Sequence, residues 1–160
     1  MPNRYTLHVV PWSHTHVSWL RHAIGEFFEA GLAQGGDILR TQRNVDAYLS
    51  LGLAGAERGD PCLLAIVGDV PVSYTMWIGV PPMLDSKWKT LNAMGSFTTP
   101  SWRHRGVSLA LREAGVQLAK ERGYERITAT AFNSNERGIH DFCVGLEGWP
   151  VSTNVEVRFT

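Results

Sequence analysis

Apolar residues recur along the chain with two periods, which predict an alternation of strands and helices. Alternating or β-branched runs predict strands over residues 5–10, 63–67, 71–80, 91–99, 126–132 and 151–159. Apolar residues three and four apart predict two helices after the first strand, a long helix over residues 106–122 and a short one over residues 136–144. The pattern predicts a single α/β (α+β) domain over residues 1–160, with a mixed sheet flanked by helices on both faces.

Turn and cap residues predict where these elements begin and end. Gly31 is expected to stop the first helix, and Thr41 or Asn44 is expected to cap the second. Pro71 has no amide hydrogen to donate, so its strand is expected to begin at a sheet edge. Helical crossovers imply parallel strand pairs near the middle of the sheet, and the turn at residues 68–69 implies an antiparallel hairpin.

A basic loop of residues 103–108 lies where the predicted strand over residues 91–99 leads into the long helix. Arg103 and Arg105 supply positive charge, and Gly106 and Ser108 let the backbone approach a bulky ligand. The first amides of a helix lack intrahelical partners and lie at the positive end of its dipole. The basic loop therefore predicts a site for an anion of the size of a pyrophosphate.

The spacing Arg103-x-x-Gly106-x-Ser108 resembles the Arg/Gln-x-x-Gly-x-Gly/Ala motif of the GCN5-related N-acetyltransferases, the GNAT superfamily. In that family the motif binds the pyrophosphate of acetyl-CoA. The order of elements resembles the family from residue 91 to about residue 149, and more loosely from residue 6 onward. The alternative is an ordinary βαβ unit whose glycine only shapes a turn. The resemblance implies a GNAT-like domain with acetyl-CoA as co-substrate and no metal.

The resemblance also implies which residues form the site. The implied cofactor-binding residues are Phe97, Thr98, Thr99, Arg103, His104, Arg105, Gly106, Val107, Ser108 and Asn135. The catalytic candidates are Ser96, Asn92 and His140. By the family's spacing, the backbone amide of Ser96 contacts the acyl oxygen and Thr98 contacts the pantetheine arm. Asn135 has an alternative role as a helix cap.

The position of the family's general base is occupied by an amide side chain. Asn92 stands where the family often has glutamate, and a period of two places Asn92, Ser96 and Thr98 on one face of the strand. An amide cannot accept a proton. Either a water relay leads to a carboxylate such as Asp85 or Glu29, or the acceptor amine binds already neutral.

The family's tyrosine acid is missing as well. Two ways of counting along the predicted short helix place it at Phe142 or at Val144, and neither is a tyrosine. His140 is a candidate replacement, with a plain surface histidine as the alternative. A thiolate is a fair leaving group, since a free thiol has a pKa of about 8.5, so loss of that acid need not abolish turnover.

Composition excludes several other classes of protein. Lys and Arg number 15 and Asp and Glu also number 15, so no net charge steers nucleic acid or an anionic membrane. Cys62 and Cys143 flank apolar residues and are predicted to be reduced, as in a cytoplasmic protein. The sequence shows neither a signal peptide nor a run of about 18 apolar residues.

Two further patterns suggest ligands. His14 and His16 have a spacing that suits a metal, but no cysteine or carboxylate lies near them in the sequence, which favours a polar loop. Trp77 and Trp88 are candidates for lining an acceptor pocket, and most of the six tryptophans are expected in the core.

The first hypothesis is an enzyme that moves an acetyl or short acyl group from CoA to a primary amine. The acceptor is a small molecule or a peptide, no membrane is involved, and a homodimer is left open. A second hypothesis is a non-catalytic acyl-CoA-binding module, because the glutamate and the tyrosine are missing. A third is a transferase acting on an amine of a nucleobase or nucleic acid, which the neutral charge disfavours.

Overall fold

The computed structural model describes residues 5–81 and 88–129, which contain one five-stranded sheet. The strands are β1 (Leu7–Pro11), β2 (Cys62–Val67), β3 (Val70–Gly79), β4 (Thr90–Thr98) and β5 (Arg126–Ala129), and they lie in this order across the sheet. Strands β1 to β4 pair antiparallel, and β4 pairs parallel with β5. The predicted mixed sheet is confirmed. The elements predicted over residues 136–144 and 151–159 lie outside the described residues.

Three helices cover the two faces of this sheet. They are α1 (Val17–Ala33), α2 (Gln42–Arg58) and α3 (Val107–Glu121). One core joins α1 and α2 to Leu64 and Ile66 of β2, and a second joins α3 to Leu63 and Ala65 of the same strand. Because successive side chains of a strand point to opposite faces, α3 lies on the face opposite α1 and α2. Within residues 5–81 and 88–129, no helix is long and apolar enough to cross a membrane.

The ends of the helices agree only in part with the sequence prediction. Thr41 caps α2, because its hydroxyl oxygen accepts a hydrogen bond of 3.1 Å from the amide of Asn44. Gly31 does not stop α1, which continues to Ala33. The chain turns instead at Gly35, whose φ is 92°, and the amide of Gly36 donates to the carbonyl of Gly31. This is a Schellman-type end, which needs its glycine after the last helical turn.

Two β-bulges interrupt the sheet. In β3, Ser73 pairs with Ala65 and Pro71 with Ile66, which leaves Val72 as the extra residue. Pro71 therefore lies beside an irregularity in the middle strand of the sheet, and the predicted edge position is wrong. In β4, Gly95 pairs with Met76 and Ala93 with Trp77, so Met94 is extra.

The second bulge lies at a close contact with the helices. A side chain at Gly95 would collide with the ring of Phe27 in α1 and the hydroxyl of Tyr48 in α2. Glycine at this position lets two aromatic side chains reach the backbone of β4. The bulge also shifts the alternation of β4, so side chains before and after Met94 do not follow one period.

Candidate functional site

The basic loop joins the end of β4 to the start of α3. After Thr98, a short 3₁₀ helix (Pro100–Trp102) turns the chain, and Gly106 then serves as the N-cap of α3 with a φ of 80°. That left-handed conformation suits glycine and strains any other residue. It directs the chain so that α3 begins at Val107, with its first amides facing the open end of the loop.

A cavity of about 330 Å³ lies at this helix start. It is lined by Thr98, Trp102, Arg103, His104, Gly106, Val107, Ser108 and Leu109. A side chain added at Gly106 would meet no atom within 4 Å, so the space over this glycine is open. Seven of the cofactor-binding residues implied by the sequence therefore lie together: six line the cavity, and Arg105 continues the same loop. The other lining residues are Trp102 and Leu109, which sequence reasoning did not assign.

The two arginines of the basic loop take different positions. Arg103 turns back toward β4, where its Nε donates to the carbonyl of Thr98 at 3.1 Å and its guanidinium lies 5.9 Å from the ring centroid of Phe97. Arg105 lies over the ring of Trp102 at 5.0 Å. Both side chains belong to exposed residues, so each keeps charge available to an anion at the cavity.

His104 lies between these arginines in an uncommon backbone conformation. Its φ is 60°, and it is the one non-glycine residue with a positive φ in the described parts of the chain. A non-glycine residue in this region costs on the order of 1–2 kcal/mol. Such strain collects at ligand-binding loops, where the surrounding structure holds it in place.

The edge of β4 beyond Ala93 is the second component of the site. Strand β5 pairs with β4 only from Thr90 to Ala93 in the described residues. The amide of Thr99 donates to β3, and the carbonyl of Phe97 accepts a bond from Ser73 of β3. Because backbone groups alternate in direction along a strand, the amides of Ser96 and Thr98 point away from β3. They are directed at the side where a thioester would lie according to the sequence prediction.

The predicted alternation along β4 is wrong in one respect. Asn92 pairs with Ile78, which belongs to the core of α1 and α2, whereas Thr98 pairs with Ser73 on the opposite face. The hydroxyl groups of Thr98 and Ser73 lie 2.8 Å apart. Asn92 therefore does not share a face with Ser96 and Thr98. The physical reason is the bulge at Met94, which shifts the side-chain period between Ala93 and Gly95.

The amide of Asn92 is half-buried and makes a weak contact along its own strand. Its Nδ2 lies 3.4 Å from the sulfur of Met94, on the face of α1 and α2. Neither atom is a base at neutral pH, so this part of β4 offers no proton acceptor.

A cluster of aromatic side chains lies on the same face, behind Gly95. It consists of Phe27, Phe28, Tyr48, Tyr74 and Phe97, in mutual ring contacts between 5.3 and 6.4 Å. The hydroxyls of Tyr48 and Tyr74 are buried without a hydrogen-bond partner of ordinary geometry among the described residues. Burial raises the pKa of both hydroxyls above the usual value of a tyrosine. No sequence signal connected Tyr48 with β4.

Of the two carboxylates predicted as ends of a water relay, Glu29 lies in the described part of the chain. Glu29 pairs with Arg40 at 2.9 Å, and Arg40 also pairs with Glu26 at 3.1 Å. The Glu29 carboxylate therefore links α1 to the segment before α2. The other base candidate, Asp85, and the predicted residues Asn135 and His140 lie outside the described residues, as does Cys143.

The structure also bears on the two tryptophans predicted to line an acceptor pocket and on the metal site. Trp77 is 3% exposed and packs closely on Gly115 of α3, so it does not line an acceptor pocket. Trp88 is 44% exposed, before the start of β4. In the described parts of the chain, no three His, Cys, Asp or Glu side chains are grouped so that they could hold a metal.

The sequence matches no family profile and no curated protein. Solved structures are nevertheless similar over almost the whole chain. The CoA complex of the aminoglycoside N-acetyltransferase AAC(6')-Iy has a TM-score of 0.70 at 16% identity, covering 99% of this chain and 98% of that chain. A ribosomal-protein-alanine N-acetyltransferase from Brucella melitensis biovar Abortus 2308 has a TM-score of 0.69 at 12% identity, covering 97% and 100%. A possible acetyltransferase from Clostridium difficile 630 has a TM-score of 0.74 at 12% identity, covering 96% and 97%.

These similarities establish the fold of the chain. Several of the neighbours are named as acetyltransferases, and the GNAT-like fold that the sequence predicted is confirmed.

Proposed function

From the GNAT fold of this chain, we propose that it is an N-acyltransferase that takes an acetyl or short acyl group from CoA. One observation carries the proposal: the open space over Gly106 meets the free amides at the start of α3. A helix start of this kind stabilises phosphate through its amides and its dipole. The structural neighbours AAC(6')-Iy were crystallised with CoA or a CoA analogue, which supports the same ligand class here.

In the proposed complex, the pyrophosphate of CoA lies over Gly106, and Arg103 and Arg105 neutralise its charge. The pantetheine arm follows the edge of β4 past Thr98, and the acyl oxygen accepts a hydrogen bond from the amide of Ser96. A positioned donor at a developing oxyanion lowers the barrier by about 3 kcal/mol.

The reaction is a direct transfer. A neutral amine attacks the thioester carbon, a C–N bond forms and the C–S bond breaks. The ammonium proton leaves to water, and the thiolate of CoA takes up a proton. The described cysteine, Cys62, is buried, and its burial together with the nearby Asp60 carboxylate raises the pKa of its thiol to about 12, so it is no nucleophile.

The proposed acceptor is the primary amine of a small molecule or a peptide. The structural neighbours include enzymes named for aminoglycosides and for a ribosomal-protein alanine, which are amines of these two kinds. The cytoplasmic location and the homodimer stay predictions. A specific observation favours a second candidate, a non-catalytic acyl-CoA-binding module: at the position that the resemblance gives to the general base, Asn92 has an amide, whose Nδ2 lies 3.4 Å from the sulfur of Met94.

The dependence of rate on pH separates these two candidates. If the chain supplies no base, the rate of acetyl transfer should rise with pH and follow the pKa of each acceptor amine. Transfer is measured across amines of different pKa, together with calorimetric binding of acetyl-CoA. A rise near neutral pH that is the same for all amines would show a protein base.

Asn92→Glu is the matched variant. It places a carboxylate on the α1 and α2 face of β4, at the position that the resemblance gives to the general base. If the acceptor amine approaches from that face, the rise should shift to lower pH while acetyl-CoA binding is retained. If neither the wild-type protein nor Asn92→Glu transfers an acyl group to any amine while both bind CoA, the protein is a binding module. If the wild-type protein does not bind CoA, the proposed function is wrong.

A further inference from the structure

We infer that Tyr5 is a positioning residue for the anion site of the basic loop, an inference that rests on the proposed function. Its hydroxyl donates a hydrogen bond to the backbone carbonyl of Arg105, a residue 100 positions later in the chain. The motif of the basic loop contains no residue from this part of the sequence.

The hydrogen bond acts through the peptide plane between Arg105 and Gly106. In a planar trans peptide, the carbonyl and the following N–H point in opposite directions. Tyr5 holds the carbonyl on its own side, so the N–H of Gly106 points away from Tyr5. The residues that line the cavity include Gly106 but neither Tyr5 nor Arg105. The Gly106 amide is thus directed to the side away from Tyr5, and on that side we place the phosphate oxygen that would accept a hydrogen bond from it.

The aromatic contacts of Tyr5 hold the same loop from the outside. Its ring meets the ring of Trp102 edge-to-face, with centroids 4.8 Å apart, and Trp102 in turn carries the guanidinium of Arg105 at 5.0 Å. Trp102 also packs against the core that joins β1 to α3. Tyr5 lies two residues before the start of β1, so the pairing of β1 with β2 places it.

The helix itself does not fix the peptide that precedes Gly106. With a φ of 80° at Gly106, the peptide before it is held by no intrahelical hydrogen bond, because helix amides at the N-cap lack such partners. Without an external donor to the Arg105 carbonyl, this peptide is free to rotate. The hydrogen bond from Tyr5 thus fixes the orientation of this peptide before the ligand binds. Pre-organisation of this kind improves affinity without a contact to the ligand.

The test compares Tyr5→Phe with the wild-type protein and with a matched control. Tyr5→Phe keeps the ring contact with Trp102 and removes only the hydroxyl. The control, Tyr124→Phe, removes a hydroxyl that donates to Asp60, away from the basic loop. Affinity is measured by nuclear magnetic resonance titration, which reads weak binding, with CoA and with pantetheine, which lacks the pyrophosphate.

We expect Tyr5→Phe to weaken CoA binding about three- to tenfold and to leave pantetheine binding within about twofold of the wild-type protein. In the wild-type protein, the Gly106 amide resonance should move on addition of CoA, and the movement should be smaller in Tyr5→Phe. Tyr124→Phe should bind both probes as the wild-type protein does. In turnover, Tyr5→Phe should raise KM for acetyl-CoA with little change in kcat.

Three outcomes overturn the inference. Unchanged CoA affinity in Tyr5→Phe shows that the hydrogen bond does not order the site. Equal weakening of CoA and pantetheine shows a general structural effect. Absence of CoA binding by the wild-type protein refutes the proposed function, and the role of Tyr5 with it.

Discussion

The two ends of helix α3 differ in how fully their polar groups are satisfied. At its start, the amides after Gly106 face an open cavity, and His104 holds a strained backbone conformation. At its other end, the chain passes through Gly123 to Tyr124, whose hydroxyl donates to the buried carboxylate of Asp60 at 2.6 Å. In the described part of the chain, only at the second end is a buried polar group paired within the protein.

The carboxylate of Asp60 accepts hydrogen bonds from three parts of the fold. It accepts a hydrogen bond of 3.1 Å from the amide of Gly79 at the end of β3, and a second of 3.1 Å from Arg58 at the end of α2. Together with the bond from Tyr124, these donors compensate the burial of a residue that is 5% exposed. The Asp60 end therefore stabilises the fold without offering a place to a ligand.

Unsatisfied hydrogen-bond donors distinguish the two ends of α3 more clearly than charge does. Both ends contain arginine, but at the Asp60 end Arg58 is paired with a carboxylate. At the basic loop, the described contacts of Arg103 and Arg105 are with a carbonyl oxygen and aromatic rings, which leave their charge uncompensated. In the proposed complex, an anion would complete the hydrogen bonding at the start of α3, whereas the hydrogen bonding at the Asp60 end is already complete.

The largest expected effect comes from disrupting the hydrogen bonds to Asp60. Asp60→Asn replaces one accepting oxygen by an NH₂ group that faces donors, so we expect the free energy of unfolding to fall by about 2–3 kcal/mol. Denaturant unfolding measures this loss. CoA affinity should be unchanged, and a comparable loss of affinity would show that the two ends are not independent.

The next effect comes from filling the open end. Gly106→Asp places a side chain and a negative charge in the space over the glycine, and it strains a residue with a φ of 80°. CoA affinity should fall at least about tenfold, or ~1.4 kcal/mol. Calorimetry on the folded variant measures it, and Gly123→Asp, another glycine of positive φ with open space, is the control for strain. Unchanged binding in Gly106→Asp would remove the basic loop from the site.

A smaller effect of opposite sign is expected at His104. Glycine adopts a φ of 60° without strain, so His104→Gly should raise the free energy of unfolding by up to about 1 kcal/mol. Such stabilisation would show that the backbone at His104 is strained in the wild-type protein. A loss of stability on thermal unfolding would mean that the imidazole makes contacts worth more than the strain.

The smallest effect is a change in the response to alkaline pH. Burial, and then the hydrogen bond to Asp60, raises the pKa of Tyr124 to about 12, above its ordinary value of 10. A raised pKa in the folded state means that this stability is complete below pH 10 and is lost as pH rises from 10 to 12.

Tyr124→Phe should therefore show a shallower fall of unfolding free energy over that range than the wild-type protein. Some fall should remain, because burial also raises the pKa of Cys62 to about 12. Identical slopes in the two proteins would show that Tyr124 does not hold its proton more tightly in the folded state.

Much of the fold, and the position of the basic loop at the start of α3, could be predicted because the signals are local. The strand, the basic loop and the start of α3 lie in one short stretch, and each depends on residues within a turn of one another. Gly106 indicates a helix start with room for a ligand, and the apolar run of β2 and the helical period of α2 indicate which positions are buried. These features follow from backbone conformation and from burial, which the sequence specifies residue by residue.

The tertiary structure decided what depends on pairing and on distant contacts. Asn92 and Ser96 lie on opposite faces because β4 bulges at Met94, and the bulge depends on how β4 pairs with β3. Trp77 is core and not pocket because Gly115 of α3 admits its ring. Tyr5 reaches Arg105 across 100 residues of sequence, which no local period encodes, because β1 is placed beside β2 only when the sheet has formed.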